Sequence, residues 1–334
     1  MQKNELTEQK QAQLTKSEEF MTYVIKEFGK QVAGVNEVSE YQKKLIQGYF
    51  IGIDKALKMA EENRVRKNES NTDHKWDNKL PMTWGSVDLQ QLALDVKYYS
   101  KMGLDMMQQN HLTAIPFKNK KTDKYTITFI KGYAGIQYVA NKYAIDKPIN
   151  VTVELVYSGD DFKVVKKSAT NKIEGYEFSV QNPFDRGELI GGFGYIEFSD
   201  PTKNKLIVMS SKDVLKRKPK YASAEFWGGT TKERINGKLV DVEKEGWLEE
   251  MYLKTIKREV YGLKHIEIDP KKIDDDFVYL KESESRYAEI AEIAEREENA
   301  NSEEFVISEQ SDIEVVSEEI VDDKAVNEDW QKES

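Results

Sequence analysis

ELIGGFGYIEFSDPTKNKLIVM, residues 188–209, reads as two β-strands folded back on each other by the turn DPTKN at 200–204. Leu, Ile, Phe, Tyr and Val dominate both arms, and the Asp-Pro pair breaks the run between them. Gly191, Gly192 and Gly194 fall inside the first arm, where glycine marks a bulge or the close approach of another backbone. Upstream, INVTVELVY (149–157), the turn SGDD and FKVVKK (162–167) predict a hairpin, and NKIEGYEFSV (171–180) a further strand. A strand-rich middle with reversing turns points to an antiparallel sheet.

Further out the period changes. HLTAIPF (111–117) and KYTITFI (124–130) are short β-type runs about the basic turn KNKKTDK, and GIQYVANKYA (135–144) reads as a short helix. The first third is helical. Phe20, Val24 and Phe28 recur every four residues. Tyr41, Leu45, Tyr49, Ile53 and Leu57 form a longer row behind a capping box of Ser39 and Gln42, and this helix is expected to end near Ala60. Residues 63–81 are poor in apolar side chains and predict a loop. Ser86 is the expected N-cap of a helix stopped by Gly103. Downstream, Ser210 or Ser211 caps KDVLKRK (212–218). Residues 246–263 form the last strong helix, with Leu248, Tyr252, Ile256, Val260 and Leu263 inward. After Asp269 the chain turns acidic: 283–299 has helical character, and 304–323 alternates acidic and apolar residues without a fold of its own. The class is α+β, with a helical N-terminal region (1–80), a mixed core (81–266) and an acidic, partly disordered C-terminal region (267–334).

The chain has no Cys, which removes disulfides, thiolate metal sites and a Cys nucleophile, and suits a reducing cytoplasm. Its N-terminus lacks the apolar run of a signal peptide, and no stretch approaches the roughly 18 apolar residues of a membrane span. The net charge of −10 is segregated: residues 267–334 carry 24 acidic and 7 basic side chains, so the remainder is basic overall. A basic body with an acidic tail fits a polyanion binder, and equally an ordinary domain with a solubilising tail. Chemistry-bearing motifs are missing. GGTTKERINGKL (228–239) has the wrong spacing for a phosphate loop, with Leu239 where Ser or Thr belongs, and GGFG is not followed by a helix. His74, His111 and His265 lie far apart, Asp160 and Asp161 fall in a turn, and Asp274 to Asp276 fall in the acidic region. No ATP or metal cofactor is expected, with magnesium at most modulatory. A metal-dependent nuclease is the enzymatic alternative.

Three basic clusters interleave with aromatic residues. Lys118, Lys120, Lys121 and Lys124 sit at a hairpin tip near Phe117 and Tyr125, with Lys131 and Tyr133 behind. Lys212, Lys216, Arg217 and Lys218 precede Trp227. Lys254, Lys257, Arg258 and Tyr261 share one face of the last helix. Cations that neutralise phosphates beside rings that stack on any base are what sequence-independent binding of single strands requires. Each cluster has a plainer reading: solubilising lysines at a hairpin tip, a Glu250–Lys254 surface ion pair, and Trp227 as a core residue.

These residues lie in blocks that resemble the RecT family of phage single-strand annealing proteins. SKMGLDMMQQNHLTAIPFKN (100–119) is similar to the family's helix ending in Gly-Leu, then a strand with Pro-Phe. TFIKGYAGIQYVANKY (128–143) resembles its Gly-Tyr-x-Gly block. VMSSKDVLKRK (208–218), Trp227 and GWLEEMYLKTIKREVYGL (246–263) resemble its C-terminal core. The resemblance spans about Ser86 to Leu263, apart from 228–245. It implies a β-β-β-α core, rings or helical filaments on DNA, and ATP-independent annealing beside a phage 5′→3′ exonuclease in a bacterial cytoplasm. A host single-strand-binding protein is a further expected partner. By the same resemblance Lys118, Lys131, Lys212, Lys216, Lys254, Lys257 and Arg258 are the expected DNA contacts, with Tyr133 in the Gly-Tyr block. A passive single-strand coat and a protein-only scaffold are the remaining alternatives.

Overall fold

The computed structural model describes residues 15–29, 38–70, 74, 77–119, 122–219, 222–235 and 238–300. Contacts group residues 1–292 as one unit; of the second, 293–334, only residues 293–300, the end of a helix, are described. In chain order the elements are α1 (Lys16–Gly29), α2 (Glu40–Ser70), α3 (Leu89–Met102), β1 (Leu112–Asn119), β2 (Lys124–Lys131), α4 (Tyr133–Tyr143), β3 (Asn150–Tyr157), β4 (Asp160–Val165), β5 (Gly175–Val180), β6 (Leu189–Glu197), β7 (Lys205–Ser210), α5 (Ser211–Leu215), α6 (Ala224–Trp227), β8 (Gly229–Ile235), β9 (Lys238–Lys244), α7 (Leu248–Val260) and α8 (Asp275–Ala300). All pairing between these strands is antiparallel, so the fold is α+β.

Two cores organise the chain. In the first, α2 and α3 pack against one face of the β1–β2 hairpin, and α1 packs on α3 and α2. The every-fourth-residue rows of α1 and α2 place Phe20, Val24, Leu45, Tyr49 and Ile53 inward, while Tyr41 at the head of the α2 row stays exposed. The Ser39–Gln42 capping box forms, with Ser39 N to Gln42 Oε1 at 3.0 Å and Gln42 N to Ser39 Oγ at 3.2 Å. The helix then runs ten residues past the expected end at Ala60. Polar bonds hold those extra turns: Arg64 donates to Glu61 and to the carbonyl of Asn78, and Asn68 exchanges bonds with Asn78. Asp88, not Ser86, caps α3, accepting from Gln91 N at 3.2 Å, and Gly103 ends it in the left-handed region at φ 90°.

The second core sits on the sheet β3-β6-β7. The opening stretch folds as read, with β6 paired to β7 around the 200–204 turn. The hairpin expected between 149 and 167 does not form. β3 pairs with β6, and β4 leaves to pair with β5. The turn's backbone is claimed by the 186–188 segment: Ser158 N donates to Glu188 O at 2.8 Å and Gly159 N to Arg186 O at 2.9 Å. Strand periodicity specifies a face, not a partner. The β4–β5 hairpin covers one side of the sheet, Phe162 stacking on Phe193 at 4.7 Å, and α7 covers the other. On the α7 side, a Cβ at Gly192 would lie 2.4 Å from Ile256 and one at Gly194 would lie 2.2 Å from Val260, so the glycines let the helix rest on the strand backbone.

Two further segments depart from expectation. β8 and β9 pair antiparallel, unread in the sequence although Asn236-Gly237 between them is a strong two-residue hairpin signal. The acidic region does not begin at 267 as a separate part. The first turns of α8 bury Phe277, Leu280 and Ser283, and Tyr99 Oη lies 3.0 Å from Ser283 Oγ. Residues 304–323 lie outside the described residues.

Candidate nucleic-acid interface

α7 organises the surface. Tyr252, Ile256 and Val260 are buried on the sheet, which turns Lys254, Lys257 and Arg258 outward. Lys254 is exposed and has no ion-pair partner among the described residues. Lys257 holds its ammonium 4.8 Å from the centre of the Tyr133 ring, within cation–π range. Tyr133 opens α4. Its hydroxyl accepts from Asn110 Nδ2 at 3.0 Å, and its ring lies 6.3 Å from that of Tyr261. Local sequence fixes this placement: a Cβ at Gly132 would lie 2.1 Å from the Asn110 carbonyl oxygen, and one at Gly135 2.2 Å from that of His111. Only the Gly-Tyr-x-Gly pattern lets α4 start this close to the residues before β1.

Arg258 Nη1 donates to the Lys131 carbonyl at 2.7 Å, tying α7 to the end of β2. The Lys131 side chain is only 10% exposed, and its ammonium pairs with Glu284 of α8. Burial pushes the Lys131 pKa down, against the pull of Glu284. These groups border a cleft of about 480 Å³ whose apolar lining includes Phe117, Ile130 and Leu263.

The second cluster meets the third through Glu259. Arg217 Nη2 donates to Glu259 at 3.0 Å, and Lys264 and His265 hold the same carboxylate. Burial pushes the Glu259 pKa up, but the bonds from Lys264 and His265 leave it below the ordinary value. Ser210 caps α5 in a capping box with Asp213, leaving Lys212 and Lys216 exposed. Lys218 lies 5.7 Å from the ring centre of Trp227, which is half-buried against the sheet core. The hairpin-tip cluster stands apart. Lys118 pairs with Asp123 at 3.2 Å, Lys124 is exposed, and six residues of strand, about 20 Å, separate the tip from Lys131. Lys120 and Lys121 lie outside the described residues.

Sequence reading missed one basic group. Lys166 and Lys167, beyond β4, meet Lys205 on β7 beside His265, around a groove of about 710 Å³. The residues come from distant parts of the chain, and Lys-Lys at 166–167 was the only local sign. Among the described residues, no three His, Asp or Glu side chains are grouped to hold a metal ion, and no helix is long and apolar enough to cross a membrane.

No curated protein and no solved structure significantly matches the chain. The model of the RecT family matches residues 85–276, more than half of the chain, from the turn before α3 into the start of α8. The chain therefore belongs to the RecT family of DNA-binding, single-strand-annealing recombination proteins.

Proposed function

We propose that the protein holds single-stranded DNA by its phosphates on the surface around α7 and pairs it with a complementary strand without a nucleotide cofactor. The observation that carries this reading is Lys257 over Tyr133, with exposed Lys254 on the same helix and the second basic cluster tied to that helix by the Arg217–Glu259 bond: cations and an aromatic ring gathered around α7. Such a surface reads backbone and base faces rather than sequence, so Watson–Crick pairing supplies the discrimination. The sheet β3-β6-β7 with α7 across it supports placing the family's β-β-β-α core there. Protomers side by side in a ring or helical filament would make the surface continuous and hold the annealed duplex. A phage 5′→3′ exonuclease and a host single-strand-binding protein are the proposed partners, in a bacterial cytoplasm.

The test is annealing of complementary labelled oligonucleotides, followed by fluorescence transfer, without ATP and with or without magnesium. The protein speeds pairing under every condition and leaves both strands at full length. Binding without acceleration would reduce it to a passive coat. Shortened strands in magnesium or manganese would make it a nuclease.

A further inference from the structure

Phe184 is 97% exposed, the most exposed large apolar side chain among the described residues. It is not on a loose loop. Phe184 N and Asp185 N donate to Asn182, and Arg186 Nε and Nη2 grip Asp160 at 3.0 and 2.6 Å. The Arg186 guanidinium also lies 4.2 Å from the centre of the Tyr157 ring. The phenyl ring therefore buries almost none of its surface within its own chain.

The same chain carries a complementary receptacle. The cleft lined by Phe117, Ile130 and Leu263 measures about 480 Å³. A benzene-sized ring is held in roughly 150 Å³. Its rim is net cationic: Lys131, Arg258 and Lys281 line it with a single carboxylate, Glu284, which Lys131 and Lys281 share, and the Lys281 side chain stays 45% exposed. The knob is acidic: Asp185 follows Phe184 and Glu188 lies close by, while Arg186 is spent on Asp160. That charge repels a phosphate backbone and suits the cleft rim.

The two surfaces cannot meet in one chain. The loop rests on Tyr157, whose ring lies against Arg186 and whose hydroxyl is near Glu249 in the first turn of α7. The cleft lies at Arg258 and Gly262, at the helix's other end. Nine helical residues, about 14 Å, separate Glu249 from Arg258. A knob and a hole at opposite ends of one helix make a heterologous contact, which repeats from copy to copy instead of closing on a twofold axis.

We infer that copies of this chain join head to tail, Phe184 of one seated in the cleft of the next with Asp185 against Lys281. The inference deepens the assembly part of the proposed function, but uses residues apart from Lys254, Lys257 and Tyr133.

The chain's lack of cysteine makes the test direct. Full-length Asp185→Cys protein is mixed with full-length Lys281→Cys protein and a short bis-maleimide, with and without annealed DNA. A covalent heterodimer is expected, and a ladder when both substitutions share one chain. Adding Phe184→Ala lowers the yield at least about tenfold, as loss of a buried aromatic anchor should. Exposed Lys172→Cys in place of Asp185→Cys gives only background. Adding Lys254→Ala and Lys257→Ala weakens oligonucleotide binding but leaves the cross-link, separating this inference from the DNA surface. Heterodimer no more abundant than with Lys172→Cys overturns it. So does a Phe184→Ala variant that cross-links normally and loses only DNA affinity, which would make the ring a base-stacking element.

Discussion

Tyr287 of α8 donates its hydroxyl at 2.6 Å to Oδ2 of Asp95, a carboxylate with no solvent exposure on α3. Tyr279 donates to the other oxygen at 2.6 Å, and Gln91 and Arg286 lie nearby. Burial pushes the Asp95 pKa up despite these donors. Asp95 is thus the point at which the start of the acidic region becomes part of the fold.

Tyr287→Phe removes one short donor and leaves a buried carboxylate underserved, at a cost of about 1.5–3 kcal/mol. In a unit of this size that lowers Tm by about 3–6 °C. Because the folded pKa of Asp95 lies above its unfolded value, its stabilising effect is present at low pH and lost as pH rises through the folded value. Thermal melts should therefore show a smaller deficit at pH 4 than at pH 7.

Lys131 and Lys254 should separate stability from binding. Lys131→Ala leaves Glu284 without the largely buried cation that faces it, so urea unfolding should reveal a loss of about 2–4 kcal/mol. Lys254→Ala touches an exposed side chain and should move stability by under about 0.5 kcal/mol. Its signature is weaker oligonucleotide binding, with the slope of log affinity against log salt reduced by about 0.7. An unchanged salt slope would remove Lys254 from the phosphate surface.

What the sequence made legible follows from which interactions are local. Helical rows, the Ser39 cap and the Gly103 stop are set within a few residues, and all are found in the structure except that Tyr41 and Leu248, at the heads of their rows, are exposed. Gly192 and Gly194 announced a close approach, though not that α7 would make it. Partner choice was illegible. β3 and β4 each alternate correctly, yet separate because Arg186, 26 residues from Asp160, captures the turn between them. Among the candidate site residues, the shared face of Lys254, Lys257 and Arg258 was a matter of helix geometry. That Lys131 would face Glu284 rather than solvent depends on a segment 153 residues away, which composition alone marked as tail.

Glu61 gives a pH signature for the extended end of α2. It accepts from Arg64 at 2.6 and 2.7 Å and from Met82 N at 2.7 Å, and the Arg64 bonds above all hold its pKa down to about 2. A lowered carboxylate pKa adds stability that is present above the unfolded value of 4.5 and lost as pH falls toward 2. Wild type should exceed Glu61→Gln by about 2 kcal/mol at pH 6, after allowance for partial exposure, and the gap should close by pH 2. A gap constant across that range would mean that the charge of Glu61 contributes nothing.

Gly194→Ala tests whether the binding surface depends on how α7 is seated. The added methyl would lie 2.2 and 2.8 Å from the two γ-carbons of Val260, which is fully buried. Gly194 has no left-handed backbone to strain, so the effect is steric alone. Overpacking of this kind costs about 1–3 kcal/mol and is relieved by shifting the helix off the strand. Lys257 and Tyr133 stand on different helices, so such a shift alters their 4.8 Å contact without removing either group. Gly194→Ala should lose both stability and oligonucleotide affinity. Val260→Ala alone leaves a cavity and should also destabilise. Together the methyl fills the space the valine leaves, so the double variant should be more stable than the sum of the single losses by at least about 1 kcal/mol. Additive losses would mean that Gly194 and Val260 do not touch and that the glycine strand is not the seat of α7.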